Sequence, residues 1–482
     1  MKKLKILMTI LSVFSLSLVT QPVKAEEIEK KDNYKFILLD NEIQPNNKEN
    51  IIHFLKENNA IEIKYTPEIQ MISYKETNSN IQSNLDSKIR TKFKTSIEDV
   101  ANSAKLTLQD PKISNPNEHF TNNKLNYSLS SKRTLNSITI NEPVSNASPP
   151  WQIAKVTDNY KSHKITLGQK NVNIALVDSG IDYNHPELKD SINYSEGKSY
   201  VPTEPDLLDQ NGHGTQVAGI IAAHDKLKGI VPNITITPYK VIGKKDGESV
   251  WTIQAIIDAA NNGADVINLS LGTYKATNLE DENAIIKAYE RAIQYAQDKN
   301  SIVVASAGNE GINLDKPFEK IDEKNGVLYK IHVPGGLSNV LTVSGTDKND
   351  EIVNYSNFGH EVDFSAPSGS YGTIINNQFK FDPSYLIGTT YPTYLEPTML
   401  DAQLNTPKGY TLNLGTSLSV PALSGTLGAI ISRYYELHST KPSADVTMNY
   451  LKNGATDLGA DGKDDQYGYG LVNSYKSIIS IK

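Results

Sequence analysis

Short apolar stretches alternate with longer helical ones through residues 149–482. Five stretches have the length and composition of buried strands: 172–177, 235–241, 265–270, 302–305 and 340–343. Helical stretches separate them, the clearest at 251–261 and 283–298. This alternation predicts an α/β fold, a parallel sheet with helices on both faces. In such a sheet, functional groups lie at the carboxyl ends of the strands.

Three segments place reactive side chains at turns of this kind. Asp178 ends the first apolar stretch, and His213 stands between two glycines at the start of a small-residue helix. Ser417 follows a Gly-Thr turn and precedes the apolar run 427–435, which has the spacing of a buried helix. Backbone N–H groups at a helix N-terminus favour a developing oxyanion. Taken alone, Ser417 would instead be interpreted as a helix cap.

In the chain order Asp, His, Ser, these segments resemble the three catalytic blocks of the subtilisin-like serine peptidases, or subtilases. The resemblance implies that Asp178 orients His213 and that His213 takes the proton of Ser417 as the serine attacks a peptide carbonyl. Asn309, in a Gly-Asn turn after an apolar strand, matches the oxyanion asparagine of the family. Without the other three residues, Asn309 would be interpreted as a turn residue.

The same resemblance suggests how a substrate binds. It implies that Ser270, Leu271 and Gly272, together with the loop 243–249, flank an extended peptide bound as an added strand. Asp246 and Glu248 in that loop, with acidic groups at 204–209 and 280–282, suggest a preference for basic residues near the cut bond. A solvated surface explains such acidic groups equally well.

The net charge of the chain limits which kinds of binding partner are expected. The whole chain has a formal net charge of −7, and residues 151–482 carry 28 basic and 38 acidic side chains, a net charge of −10. This balance argues against a nucleic-acid partner and favours a cationic peptide. Acidity is also a common route to solubility. The expected partners are a peptide or precursor-peptide substrate and the chain's own propeptide, and the protein is expected to be a monomer.

The first 25 residues predict a secretory signal peptide. Three lysines precede an apolar core at 6–19, and small residues stand at 23 and 25, where a signal peptidase requires them. The apolar core is too short for a comfortable membrane anchor, and no later stretch is long enough to span. The C-terminus lacks a recognisable sorting tail. We therefore expect a secreted, extracellular protein without a membrane anchor.

Residues 26–105 are expected to form a separate α+β domain. Strand patterns at 34–39 and 60–65 flank an amphipathic helix at 48–58. The domain resembles the inhibitory propeptide that subtilases place before the catalytic domain. Residues 106–148 have a linker composition, with Lys132 and Arg133 as a candidate maturation site.

The sequence supports no metal site and no required cofactor. The chain has no cysteine, and residues 223–232 are too few for the family's main calcium loop. Glu187 also stands where the usual aspartate ligand would be. A structural calcium stays open, because Asp461, Asp464 and Asp465 suit either a cation or a solvated turn. The role of the insertion between Pro367 and Gly415 is unassigned.

Within the subtilases, the chain resembles the lantibiotic leader peptidases, the epidermin-processing type among them. This resemblance implies a serine endopeptidase that removes a leader from a precursor peptide. A broad-specificity degradative subtilase is the alternative, and an inactive subtilase-like binding scaffold is an alternative of another class. A sedolisin-like acid peptidase would need Glu where this chain has His213.

Overall fold

The computed structural model describes residues 33–40, 45–77, 82–108, 150–322, 324–375 and 378–482. The predicted signal peptide lies outside the described residues, as do Lys132, Arg133 and most of the predicted linker. Among the described residues, no helix has the length and apolar character needed to cross a bilayer.

Residues 33–108, called here the N-terminal unit, form a small α+β layer. Its elements are β1 (Asn33–Leu39), α1 (Pro45–Glu57), β2 (Ala60–Thr66), β3 (Met71–Glu76), α2 (Gln82–Lys92), β4 (Ile97–Asn102) and β5 (Lys105–Leu106). Four strands pair antiparallel in the order β2-β3-β1-β4. The two predicted strands and the predicted helix are confirmed, while β3, β4 and α2 were not predicted.

The larger unit, residues 150–482, contains many more elements. Its strands are β6 (Asn173–Asp178), β7 (Lys198–Ser199), β8 (Thr235–Lys240), β9 (Gly247–Glu248), β10 (Val266–Leu269), β11 (Thr273–Ala276), β12 (Ile302–Ser306), β13 (Phe318–Asp322), β14 (Gly326–Val333), β15 (Leu341–Thr346), β16 (Val362–Pro367), β17 (Gly372–Ile375), β18 (Gln378–Phe381), β19 (Ile387–Thr390) and β20 (Tyr410–Asn413). Its helices are α3 (Trp151–Thr157), α4 (His213–Ala222), α5 (Ser249–Asn261), α6 (Glu280–Asp298), α7 (Met399–Leu404), α8 (Ser419–His438), α9 (Ala444–Gly454) and α10 (Ser474–Ile479).

A seven-stranded parallel sheet is the centre of this unit. Its strand order is β16-β15-β12-β10-β6-β8-β7. Side chains of β6 alternate between two apolar clusters: Ala175 and Val177 pack with α5 and α6, and Ile174 and Leu176 pack with α4 and α8. The five predicted strands and the helices on both faces are therefore confirmed. β7 and β16, at the two edges, were not predicted.

The N-terminal unit docks its sheet on α5 and α6. Successive residues of β1 point to opposite faces, so Phe36 and Leu38 join the cluster that contains Trp251, whereas Ile37 and Leu39 face α1 and α2. All four β1 side chains are fully buried. Burying a side chain of this size contributes about 1.5–3 kcal/mol, so both faces of β1 stabilise the assembly.

The insertion between Pro367 and Gly415 folds into two hairpins and a short helix. The hairpin of β17 and β18 comes first, and β19 and β20 then pair around α7. From β19, the hydroxyls of Thr389 and Thr390 donate to the carbonyl oxygens of Gln216 and Thr215 in α4, at 2.7 and 2.6 Å. The insertion therefore supports the helix that begins with His213.

Candidate active site

Asp178 and His213 meet at the carboxyl edge of the sheet. Asp178 ends β6 and is fully buried, and His213 is the first residue of α4. The imidazole Nδ1 lies 2.8 Å from Asp178 Oδ1 and 3.0 Å from Oδ2. Asp178 Oδ1 also accepts a hydrogen bond from the backbone N–H of Ser179 at 2.7 Å. With Nδ1 donating to the carboxylate, the ring presents Nε2 as its basic nitrogen.

A buried carboxylate holds the start of the His213 helix. Asp209 Oδ1 accepts from Gly212 N at 2.7 Å, and its Oδ2 accepts from Thr215 N at 2.9 Å. Gly212 has a φ of 104°, and a Cβ there would collide with the ring of Tyr391. Burial raises the pKa of Asp209, and the bonds from Gly212, Thr215 and Ser179 oppose that rise. Asp209 thus accepts from the N-cap residue Gly212 and from Thr215 in the first turn, and in this way positions the helix that begins with His213.

The expected substrate role of the acidic groups at 204–209 is wrong for Asp209, which is fully buried. Glu204 Oε2 instead lies 2.7 Å from Lys240 Nζ. The acids at 280–282 are also engaged away from the cleft: Glu280 lies 2.5 Å from Arg90, and Asp281 accepts from Asn102 at 2.5 Å. These acids stabilise the fold and the docking of the N-terminal unit.

Ser417 lies where a strand turns into a helix. The chain leaves β20 through Gly415, makes a single 3₁₀ turn over Thr416–Leu418 and enters α8 at Ser419. The predicted position of Ser417 near a helix N-terminus is confirmed, although α8 is longer than the run 427–435 indicated. Ser417 is half-buried and lines the same cavity as His213.

Asn309 is tied to the residue before Ser417. It follows β12 beyond Gly308, whose φ of 102° makes the turn. Its Oδ1 accepts from Thr416 N at 3.0 Å and from Thr416 Oγ1 at 2.8 Å. These two bonds fix the side-chain amide, so that Nδ2 faces away from Thr416.

One cavity gathers most of the residues that the sequence singled out. It is lined by Thr107, Leu108, His213, Ser270, Leu271, Gly272, Ser306, Gly308, Asn309, His332, Asn413, Leu414 and Ser417. Asp178 lies behind His213. Asp246 and Glu248 do not line the cavity. They lie farther along the cleft, where β5 pairs with β9.

The end of the N-terminal unit occupies this cleft. β5 pairs antiparallel with β9, so that Lys105 lies opposite Glu248 and Leu106 opposite Gly247. The pairing crosses the boundary at residue 105 that the sequence suggested for this domain. Farther along, Thr107 and Leu108 reach the cavity of His213 and Ser417. Residues 105–108 therefore run along the cleft, with Lys105 and Leu106 paired to β9 as an added strand.

Sequence reasoning missed His332, a buried residue of β14 in the cavity wall. Burial lowers the pKa of His332 to about 4, so its imidazole is neutral at physiological pH. Its ring lies 4.9 Å from the ring of Tyr274, and its Nδ1 has no hydrogen-bond partner among the described residues. His332 is recognised as a cavity residue only from its position on β14 beside β11, because no motif surrounds it in the sequence.

Glu187 organises the short loop at 225–227. Its Oε1 accepts from Lys226 N and Leu227 N, at 2.8 and 3.0 Å, and its Oε2 accepts from Asp225 N at 2.7 Å. Tyr410 also donates to Oε1 at 2.9 Å. A carboxylate thus holds the short loop directly.

In the acidic turn near the C-terminus, the carboxylate of Asp464 likewise accepts hydrogen bonds from the local backbone. Asp464 accepts from the N–H groups of Ala460, Gln466 and Tyr467, at 3.0, 2.8 and 2.7 Å. Within the described residues, no group of three or more His, Asp or Glu side chains is arranged to hold a metal ion. That the protein needs no metal or cofactor stays a prediction.

Comparisons with known proteins agree with this architecture. The Subtilase family model, Peptidase_S8, matches residues 169–470. The epidermin leader peptide-processing serine protease EpiP of Staphylococcus epidermidis is 33% identical over 353 residues, which cover 68% of this chain and 73% of that protein.

Two crystal structures are similar to the chain. A lanthipeptide protease shares 40% identity with a TM-score of 0.62, over 69% of this chain and 94% of that one. The epidermin leader peptide processing serine protease EpiP from Staphylococcus aureus shares 27% identity with a TM-score of 0.68, over 93% of this chain and 98% of that one. The chain therefore belongs to the subtilase family, and it is a serine endopeptidase.

Proposed function

We propose that this endopeptidase is secreted and that it removes the leader peptide from a lantibiotic precursor. Asp178, His213 and Ser417 form its catalytic triad. The observation that carries the proposal is the contact of 2.8 Å between Asp178 and His213, at the edge of a cavity that Ser417 also lines. This arrangement suits nucleophilic catalysis, because Asp178 orients the imidazole through Nδ1 and so makes Nε2 the nitrogen that takes the serine proton.

The reaction runs through an acyl-enzyme. Ser417 Oγ attacks the peptide carbonyl while His213 Nε2 takes the hydroxyl proton, and the cation that forms is stabilised by Asp178. The C–N bond then breaks, and His213 returns the proton to the leaving amine. Water attacks the ester by the same route in reverse, which releases the acid and restores Ser417.

Two donors stabilise the negative oxygen of the tetrahedral intermediate. One is the backbone N–H of Ser417, at the turn that leads into α8. The other is Nδ2 of Asn309, whose amide is fixed through Oδ1 by Thr416. Fixed donors of this type act strongly, because they need no reorganisation as the charge develops.

The substrate class is supported by the similar proteins. EpiP of Staphylococcus epidermidis is described as a processor of the epidermin leader peptide, and the 40% identical structure is that of a lanthipeptide protease. Ser270, Leu271 and Gly272 line the cleft and bind the leader as an added strand. The enzyme prefers a basic residue before the cut, in keeping with Asp246 and Glu248 beside the cleft.

The N-terminal unit serves as an inhibitory propeptide. This role is supported by Thr107 and Leu108, which line the cavity that a substrate would need. Secretion directed by the signal peptide 1–25, as a monomer, completes the proposal.

A serine-directed probe and a precursor digest test this function. One sample of the purified protein is treated with a fluorophosphonate, and a second, untreated sample is incubated with a lantibiotic precursor peptide, whose fragments are weighed by mass spectrometry. We expect a label on Ser417, absent in Ser417→Ala, and a single cut at the end of the leader. Many cuts would favour a degradative subtilase, and a protein without label would be a binding scaffold.

A further inference from the structure

The pairing of β5 with β9 shows how the large unit contacts one side chain of an extended peptide. Lys105 lies opposite Glu248, and its Nζ is 3.0 Å from Glu248 Oε1 and 3.6 Å from Asp246 Oδ1. Lys105 precedes by three residues Leu108, which lies in the cavity of Ser417. The contact is therefore well upstream of the reacting atoms.

Glu248 is an unusual group to find beside a peptide-binding cleft. Its side chain is 2% exposed, whereas that of Asp246 is 45% exposed. Burial raises the pKa of Glu248, and Ser103 and Lys105 of the N-terminal unit oppose that rise. A buried carboxylate is costly without a partner, so the departure of the N-terminal unit removes groups that stabilise its charged form.

Among the described residues of the large unit, a basic group that interacts electrostatically with Glu248 is Lys275. Lys275 of β11 is buried, and burial lowers its pKa, with Glu282 and Glu248 opposing and Lys330 adding to that effect. Glu248 and Asp246 together carry more negative charge than Lys275 offsets. The cavity beside Ser417 differs, because none of the side chains that line it is acidic.

We propose that Glu248 and Asp246 form a cation-binding subsite for a lysine or arginine of the substrate that takes the place of Lys105. The inference rests on the proposed function and locates its basic preference. The subsite adds a basic preference several residues upstream of the cut, through charge pairing along the added strand. In the uncut chain, Lys105 fills the subsite as a substrate residue would.

A peptide library reads the preference position by position. The secreted, active protein digests a mixed peptide library, and mass spectrometry gives the residue frequencies around every cut. We expect Lys and Arg to be enriched at one upstream position. A matched pair of synthetic peptides, with lysine or norleucine there, should differ about tenfold in kcat/KM.

Variants test whether the two acids cause this difference. Glu248→Gln should bring the lysine-to-norleucine ratio close to one, and Glu248→Lys should enrich Asp and Glu at that position. Because Glu248 is buried, the exposed Asp246→Asn provides a second variant, with a partial loss of the ratio. Asp206→Asn, which changes an exposed acid away from the pairing, should leave the ratio unchanged.

The inference fails if lysine and norleucine peptides are cut equally well by the wild-type protein. It also fails if the enrichment survives in both Glu248 variants, or if it occurs only next to the cut. Each of these outcomes leaves fluorophosphonate labelling intact and so overturns the subsite alone. Loss of labelling in the wild-type protein overturns the proposed function instead.

Discussion

Asp209 and Thr215 are joined twice, because Oδ2 of Asp209 accepts from both the backbone N–H of Thr215 at 2.9 Å and its hydroxyl at 2.8 Å. The same carboxylate holds Gly212, the residue before His213. The position of the imidazole therefore depends on a side chain that does not touch the cavity. Asp209 is a positioning residue, and its effect on the reaction passes through the start of α4.

Asp209→Asn should lower kcat about tenfold while KM changes little. An amide offers one acceptor oxygen where the carboxylate offers two, so at least one N–H of the helix start loses its partner. We also expect a loss of about 1–3 kcal/mol in the free energy of unfolding, measured with urea. Asp206→Asn, a change of an exposed acid nearby, is the control. A wild-type kcat in the Asp209 variant would refute the positioning role.

Asn309→Ala should lower kcat by about 10²–10³ and leave KM nearly unchanged. The size is that found for the corresponding donor of subtilisin, a member of the same family. Because Oδ1 also accepts from Thr416, a urea titration must show that the variant remains folded. Asn309→Asp, which keeps acceptors for Thr416 and lacks the donor, should lose at least as much. A rise in KM at constant kcat would argue for a role in substrate binding alone.

Chelation with EDTA should leave the melting temperature of the protein unchanged. The reason is Glu187, whose carboxylate bonds directly to the backbone of the short loop at 225–227. Glu187→Gln should lower the free energy of unfolding by about 1–3 kcal/mol, because an amide nitrogen cannot accept from an N–H. Glu196→Gln on the surface is the control. A melting temperature that falls with EDTA and recovers with calcium would show that a cation is bound.

The contribution of two buried histidines to the free energy of unfolding should fall as the pH falls from about 6.5 to about 4. Burial lowers the pKa of His332 to about 4 from an ordinary value of 6.5, and it does the same for His163. The unfolded chain therefore binds more protons in this window, and acid favours it. Each histidine contributes about 3 kcal/mol at most.

Urea titrations at pH 7 and pH 4.5 measure this dependence. Relative to the wild type, His332→Gln should be more stable at pH 4.5 than its effect at pH 7 predicts. His438→Gln, a change of an exposed histidine on α8, should leave the difference between the two free energies as it is in the wild type. An equal pH dependence in the wild type and in His332→Gln would contradict the neutral state of that imidazole.

The sequence alone predicted the alternation of strands and helices. It also predicted the turns that carry Asp178, His213, Asn309 and Ser417, because the sequence patterns that mark such turns are local. In these turns, a neighbouring glycine and, before Asp178 and Asn309, an apolar stretch lie within a few positions of the reactive residue. Burial periodicity also predicted the parallel sheet with helices on both faces. Edge strands such as β7 and β16 escaped prediction, since they are short or lie outside the regular alternation.

Tertiary structure alone decided what surrounds those residues. In the sequence, Asp209 resembles an ordinary surface acid, and only the fold shows its bonds to Gly212 and Thr215. Glu187 likewise resembles a substituted metal ligand, and only the fold shows that it binds the backbone of the loop at 225–227. His332 and Lys105 reach the cleft from a distant strand and from a separate unit. Such contacts join residues far apart in sequence, and their energies depend on burial and distance, which no local pattern records.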